Sequence, residues 1–236
     1  VQVEEGTRVA LDATITDDVQ VRNIELLLNG QVVSNDVSAP FDLSFIVPAL
    51  AGGTENLEVA VRATDTGGNS TTTEAVAFNI IPDITPPEIL SVAPDDGQLV
   101  LVGQTSFTIV LNEGIDTATV RPDNFSATPD AGGEAIAPID LAFLGDDNVL
   151  RVTFPEVQLG VYSVALDLSG VTDRAGNPIG VEPITRTFEV VDATAVWADD
   201  SIGGRWDDAT KWRDAVVPDR EDGVAVVLDD GVVVEV

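Results

Sequence analysis

The chain has 236 residues, with 11 Lys plus Arg against 41 Asp plus Glu and a formal charge of −30. A surface this acidic excludes nucleic acid as a partner and docking on anionic lipid, since both need basic patches. His, Cys and Met are absent, which removes disulfides, thiolate chemistry, His- or Cys-ligated metals, and the Ser-His-Asp and Cys-His catalytic schemes.

The remaining composition is that of a folded chain. Hydrophobic residues make up 44%, enough to fill the cores of about two domains, or three small ones. No apolar run reaches the ~20 residues of a membrane helix, so membrane insertion is not expected. The chain opens at Val1 and stops inside a Val-rich run, and it reads as a piece of something longer.

Taken in chain order, the elements read as strands. Val9, Leu11, Ala13 and Ile15 alternate with polar or small residues, and Leu57, Val59, Val61 and Ala63 do the same. Phe107, Ile109 and Leu111 form a third run, and Val161, Ser163, Ala165 and Asp167 alternate against Tyr162, Val164, Leu166 and Leu168 in a fourth. Apolar residues every second position mark a strand with one face buried. Between the runs lie turn residues: Asn29-Gly30, Gly52-Gly53, Gly67-Gly68-Asn69, Asp130 to Gly133, Gly145 to Asn148 and Gly176-Asn177-Pro178. Short strands with such turns predict an all-β chain of sandwiches or barrels, with little helix. Pro82, Pro86 and Pro87 form a stiff linker around Asp83. The sequence changes character again near Asp192, beyond which lie all three tryptophans. The predicted divisions are 1–82, 83–191 with 83–87 as linker, and a β-rich segment 192–236 that is incomplete as it stands. In that segment Val224–Leu228 and Val232–Val236 read as two short strands around Asp229-Asp230-Gly231.

Glu5-Gly6-Thr7, Asp17-Asp18-Val19, Val21 to Gly30 and Val61 to Ser70 resemble the immunoglobulin-like repeats of large bacterial surface and secreted proteins. Pro86 to Ile89, Phe107 to Val120, Asn124-Phe125 and Tyr162 to Pro178 are similar to the S-layer-type Ig-like module of exported proteins. Both resemblances imply β-sandwiches without an activity of their own, and Tyr162 as a core or corner tyrosine whose hydroxyl bonds to backbone. The internal Lys–Asn isopeptide bond of some surface Ig domains is ruled out in both sandwiches, because Lys211 is the only lysine. Trp197, Gly204 to Asp208, Lys211-Trp212 and Pro218 resemble the opening of a β-solenoid or autotransporter-like repeat. That leaves 192–236 as a partial solenoid or a third module. Trp197, Trp206 and Trp212 read either as buried caps or as a weak carbohydrate-stacking platform.

Carboxylates are the only plentiful reactive groups. A pair of them can serve a glycosidase, but no cluster of aromatics surrounds any pair in the two sandwiches, and no active site is expected. Calcium suits them better, since it takes six to eight oxygens without His or Cys. Ig-like connectivity predicts that Asp83, Glu113, Asp116, Asp173 and Asn177 gather at the linker, with Glu4, Glu5 and Glu55 nearby. Asp17, Asp18, Asp65 and Asn69 would gather at the opposite end of the first sandwich, and Asp95, Asp96 and Glu156 would face Asp192. The competing reading is plain turn chemistry, in which Asp and Asn satisfy loop backbone.

The sequence therefore predicts a non-catalytic spacer or stalk section of a large extracellular or cell-surface, adhesin-like protein, with calcium as the cofactor at its junctions. Its partners would be neighbouring domains of the same chain, other copies of it, or cell-surface glycans. One alternative is a carbohydrate-binding accessory module of a polysaccharide-active enzyme. Another is a subunit of an extracellular filament or surface layer, joined through the Val224 to Val236 edge.

Overall fold

The computed structural model of the chain describes residues 1–18, 20–41, 43–50, 56–180 and 182–191, and beyond them 195–196, 208–209, 217, 225–227 and 233–235. Among the described residues strands make up 49% and helix 4%, so the all-β expectation holds. Among the described residues helix is confined to short 3-10 turns such as Thr117–Thr119 and Pro122–Asn124. Packing divides the chain into two compact units: Val1–Pro86 with Thr172–Asn177, and Pro87–Val171 with Pro178–Val236.

The first unit contains β1 (Gln2–Glu4), β2 (Arg8–Ala10), β3 (Val21–Leu28), β4 (Gln31–Asp36), β5 (Ser44–Ile46), β6 (Asn56–Asp65), β7 (Ser70–Thr72) and β8 (Val76–Ile81). One sheet runs β1-β8-β6-β3-β4, with β7 also paired to β6, and β2 with β5 forms a second. The core between them is Leu26, Phe45, Val47, Leu57, Val59 and Ile80, and burying each such side chain contributes about 1.5–3 kcal/mol. The alternation along β6 is visible at Leu57 and Val59, which are buried around an exposed Glu58. It breaks at Thr64, which is buried with its hydroxyl 3.0 Å from that of Ser70. The predicted run Val9 to Ile15 is a strand only over Arg8–Ala10, because its partner β5 is equally short. A single further bond, Leu11 N to Leu43 O at 2.8 Å, extends the pairing.

The turn between β3 and β4 is the expected Asn-Gly hairpin. Asn29 and Gly30 both have positive φ, 49° and 77°, the combination that matches the twist of the flanking strands. Asn29 fastens the turn to β6: its N donates to Glu58 O at 2.8 Å, and its Oδ1 accepts from Glu58 N at 2.9 Å.

The second unit contains β9 (Ile89–Ala93), β10 (Gln98–Leu101), β11 (Ser106–Leu111), β12 (Phe125–Pro129), β13 (Asp140–Leu144), β14 (Val149–Thr153), β15 (Gly160–Leu166) and β16 (Ile184–Val191). Its two four-stranded sheets are β13-β14-β11-β9 and β10-β16-β15-β12. With β9, β11, β13 and β14 as strands A, B, D and E, and β12, β15 and β16 as C, F and G, this is the Ig-like arrangement. The extra strand β10 lies parallel to β16. Phe107, Ile109 and Leu111 point inward from β11, and Tyr162, Val164 and Leu166 from β15. Phe107 meets Phe154 edge-on at 5.9 Å, and Tyr162 stacks on Phe188 at 5.5 Å. The Tyr162 hydroxyl donates to Gln158 O at 3.0 Å, the backbone bond expected of a corner tyrosine.

Beyond β16, β17 (Ala195–Val196) pairs parallel with β18 (Ala225–Val227), which pairs antiparallel with β19 (Val233–Glu235). The two strands expected around Asp229 to Gly231 are thus paired as a hairpin would be. Trp197, Trp206 and Trp212 lie outside the described residues, as do Val19, Glu55 and Asp192. Among the described residues no helix is long and apolar enough to cross a membrane.

Candidate functional site

Two loops repeat one hydrogen-bond frame. The first is Asp65-Thr66-Gly67-Gly68-Asn69, between β6 and β7, and the second is Asp173-Arg174-Ala175-Gly176-Asn177, between β15 and β16. In each, the Asp N donates to the Asn O, at 2.9 and 3.0 Å. The Gly N at the fourth position donates to the Asp O, at 3.3 Å in both. The Asn N donates to the Asp Oδ1 at 2.8 Å in both, and the Asn Nδ2 donates to the Asp Oδ2 at 2.7 and 2.8 Å. That fourth residue has φ of +91° in one loop and +96° in the other, where any side chain would be strained. The pattern Asp-x-x-Gly-Asn is therefore a single local solution used twice.

The two loops differ in their surroundings. Asp65 is half-buried and the rest of its loop is exposed. The Asn69 side-chain amide, followed by its backbone N–H, holds the Asp65 carboxyl below the usual carboxylate range. Asp173 is 2% exposed, and its Oδ1 takes a further bond from Ala175 N at 2.8 Å. Thr172–Asn177 packs as part of the first unit. There Arg174 Nη1 donates to Gly6 O at 3.2 Å, and Asn177 Nδ2 donates to Asp83 O at 3.1 Å. Gly6, with φ +76°, leaves room for this contact, since a Cβ there would come 3.1 Å from Arg174 Cβ.

Glu5 lies beside Asp83 at the linker, as expected, with its carboxylate turned onto backbone donors. It is 8% exposed, and its Oε2 accepts from Leu50 N at 2.6 Å while its Oε1 accepts from Asp83 N at 3.3 Å. Both oxygens hold backbone donors from segments far away in sequence. Nothing in the Glu5-Gly6-Thr7 motif identifies those partners.

The other expected ligands sit as follows. Asp83 Oδ1 accepts from Thr85 N at 2.9 Å, and the Asp83 and Asp173 carboxylates lie within 4.8 Å of each other. Glu113 follows β11 in the second unit, where its Oε1 accepts from Asn112 Nδ2 at 3.3 Å. Asp116 caps the 3-10 turn by accepting from Ala118 N at 3.0 Å. Asp17 and Asp18 are exposed on the stretch between β2 and β3. Asp96 Oδ1 accepts from Thr187 N and Oγ1 at 2.7 and 2.9 Å, and the Thr187 N–H, before its hydroxyl, lowers the Asp96 pKa. Turn and cap chemistry thus accounts for the contacts of Asp65, Asp96 and Asp116.

The donor set around Asp83 and Asp173 fits a hard cation in part. A carboxylate has about four acceptor sites, and Asp173 uses three of them on N–H donors. Two carboxylates this close repel each other, and an oxygen-seeking cation relieves that repulsion.

Comparison with known proteins agrees with the fold. Residues 1–59 match the family model of the bacterial Ig domain, and residues 83–190 match that of the bacterial Ig-like domain. The chain thus carries two bacterial Ig-like domains in tandem. The solenoid or autotransporter expectation for 192–236 finds no support in these matches. No curated protein matches the chain.

Among solved structures, the chain is similar to the fibronectin(III)-like modules of CbhA from Clostridium thermocellum. The identity is 13%, over 86% of this chain and 94% of that one, with a TM-score of 0.31. It is similar to domains 1–6 of surface layer protein SbsC at 24% identity, over 64% of this chain and 19% of that one, with a TM-score of 0.34. Latent PorU from Porphyromonas gingivalis is similar at 17% identity, over 81% of this chain and 22% of that one, with a TM-score of 0.36.

Proposed function

We propose that the chain is a non-catalytic structural section of a large bacterial extracellular or cell-surface protein, a spacer whose partners are adjoining domains of the same polypeptide. The observation that carries this reading is the repeated Asp-x-x-Gly-Asn loop. In both copies the Asp carboxylate is taken up by the backbone and side-chain N–H groups of its own loop, the arrangement of a structural turn. Tandem bacterial Ig-like domains support it, since such sandwiches serve mainly as presenting modules. Antibodies against the 236-residue chain should label intact cells of the source bacterium, or its culture fluid. Labelling only after lysis would overturn the extracellular assignment. A spacer shows no retardation in affinity electrophoresis on bacterial or plant glycans, whereas an accessory carbohydrate-binding module does.

The reading includes calcium as a stabilising ion. Asp83 and Asp173 supply the carboxylate pair. At about 1 mM calcium and a Kd of about 10 μM the gain is roughly 2.7 kcal/mol. Melting curves with calcium, with EDTA and with sodium at matched ionic strength test this, and identical curves would remove calcium from the proposal.

A further inference from the structure

Asn177 and Asn69 occupy the same position in the same frame, but they use their side-chain amides differently. One hydrogen on Asn177 Nδ2 holds Asp173 Oδ2, and the other is donated to the backbone carbonyl of Asp83. Asp83 lies in the extended, proline-flanked segment that leaves β8. The equivalent Asn69 Nδ2 holds Asp65 Oδ2 at 2.7 Å, and its second hydrogen has no acceptor among the described residues. The loop around it is exposed from Thr66 to Ser70. An amide oriented by its own Asp, with one donor left over, is a preformed hook for a backbone carbonyl, because no rotamer freedom remains to be lost on binding.

We infer that the Asp65–Asn69 loop is a docking hook for the extended exit segment of another Ig-like module lying ahead of this one, whose backbone carbonyl Asn69 Nδ2 takes as Asn177 Nδ2 takes that of Asp83. This rests on the spacer reading and deepens it by naming the coupling element. The occupant is polypeptide backbone in extended conformation, the form that prolines impose on the segment after β8. One difference sets the strength of the hook. Thr66 stands where the second loop has Arg174, whose guanidinium reaches Gly6 O. Coupling through Asn69 therefore lacks that charged contact and is weaker than coupling through Asn177.

The test is a fusion in which a second copy of residues 1–87 precedes Val1 of the full chain, compared with the full chain alone. Side-chain amide exchange is read by nitrogen-15 NMR, with the shared amide spectrum showing that both proteins are folded. Asn177 should be protected in both proteins. Asn69 of the downstream copy should exchange at least tenfold more slowly in the fusion than in the chain alone, and Asn69→Ala should lower the melting temperature of the fusion more than that of the chain. Equal Asn69 exchange in the two proteins, with Asn177 still protected, would overturn the hook and leave the spacer reading standing. An unprotected Asn177 in the chain itself would overturn both.

Discussion

Replacing Asp173 by Ala tests whether a buried loop carboxylate is a structural element. The substitution removes the acceptor for Ala175 N, Asn177 N and Asn177 Nδ2 together, all at 2.8 Å. A hydrogen bond to a charged group contributes about 1.5–3 kcal/mol, and a buried donor left unpaired costs a similar amount. Ala175 and Asn177 are only half-covered, so water recovers part of the loss, and the expected destabilisation is about 3 kcal/mol. Asp173→Asn keeps an oxygen for the two backbone donors and sets one amide against another at Asn177 Nδ2, so it should cost about half as much. Asp65→Ala breaks the matching Asn69 bonds in an exposed loop, where water replaces the carboxylate, and should shift stability least. Urea unfolding followed by far-ultraviolet circular dichroism reads all three variants. With a slope of about 2 kcal/mol per molar, Asp173→Ala should lower the midpoint by about 1.5 M. Equal losses for Asp65→Ala and Asp173→Ala would refute the argument from burial, and a loss for Asp173→Asn as large as for Asp173→Ala would refute the hydrogen-bond accounting.

Ile109→Ala, at a fully buried position on β11, should cost about 3–4 kcal/mol, read as a lower urea midpoint for the second unit with the first unit's transition unmoved. Tyr162→Phe removes the bond to Gln158 O from a residue that is 4% exposed and should cost about 1–2 kcal/mol. The same loss from a substitution at exposed Val161 would argue against a role for the corner bond. Acid should destabilise the chain in a defined window. The Asp65, Asp96, Asp167 and Glu25 carboxyls are all held below their ordinary values, by Asn69, Thr187, Ser169 and Arg62 respectively. Each contributes stability that is present above its unfolded pKa near about 4 and is lost as pH falls through the lower folded value. The urea midpoint should be flat from about pH 7 to 5 and fall below about pH 4; a fall already complete at pH 5 would contradict those shifts.

The fold was legible because alternation at β11 and β15 is nearly unbroken, and a strand with one buried face must show it. The two faces of 161–168 could be separated from the sequence and Tyr162 read as a core or corner residue, and the structure buries the face of Tyr162, Val164 and Leu166. At Val9 to Ile15 the same pattern overran the strand, since pairing length depends on the partner β5 and not on the run itself. The candidate site was half legible. The sequence pointed to Asp65, Asn69, Asp173 and Asn177, as cation ligands at the domain junctions or as plain turn residues. The spacing Asp-x-x-Gly-Asn in both loops was the available signal that they share one internally bonded frame. Glu5 was beyond reach, because its partners Leu50 and Asp83 are 45 and 78 residues away.

In the first unit the entering strand β1 is laid parallel against β8, the last strand, and in the second unit β10, which follows the entering β9, is laid parallel against β16. Gln2, Val3 and Glu4 lie beside Asn79, Ile80 and Ile81, and Gln98 to Leu101 beside Phe188 to Val191. Tension transmitted along the polypeptide pulls the two members of such a pair in opposite directions along their common axis. The bonds between them, evenly spaced and slanted across that axis, are then loaded together in shear and not opened one after another as in a zipper. Glu5 N to Ile81 O at 3.0 Å adds one more rung to the first pair, and Gly97 N to Thr187 O at 2.8 Å with Val102 N to Val191 O at 3.0 Å adds two to the second. Each sandwich therefore resists extension most strongly along the direction in which its own chain runs, and yields more readily to a force applied from the side.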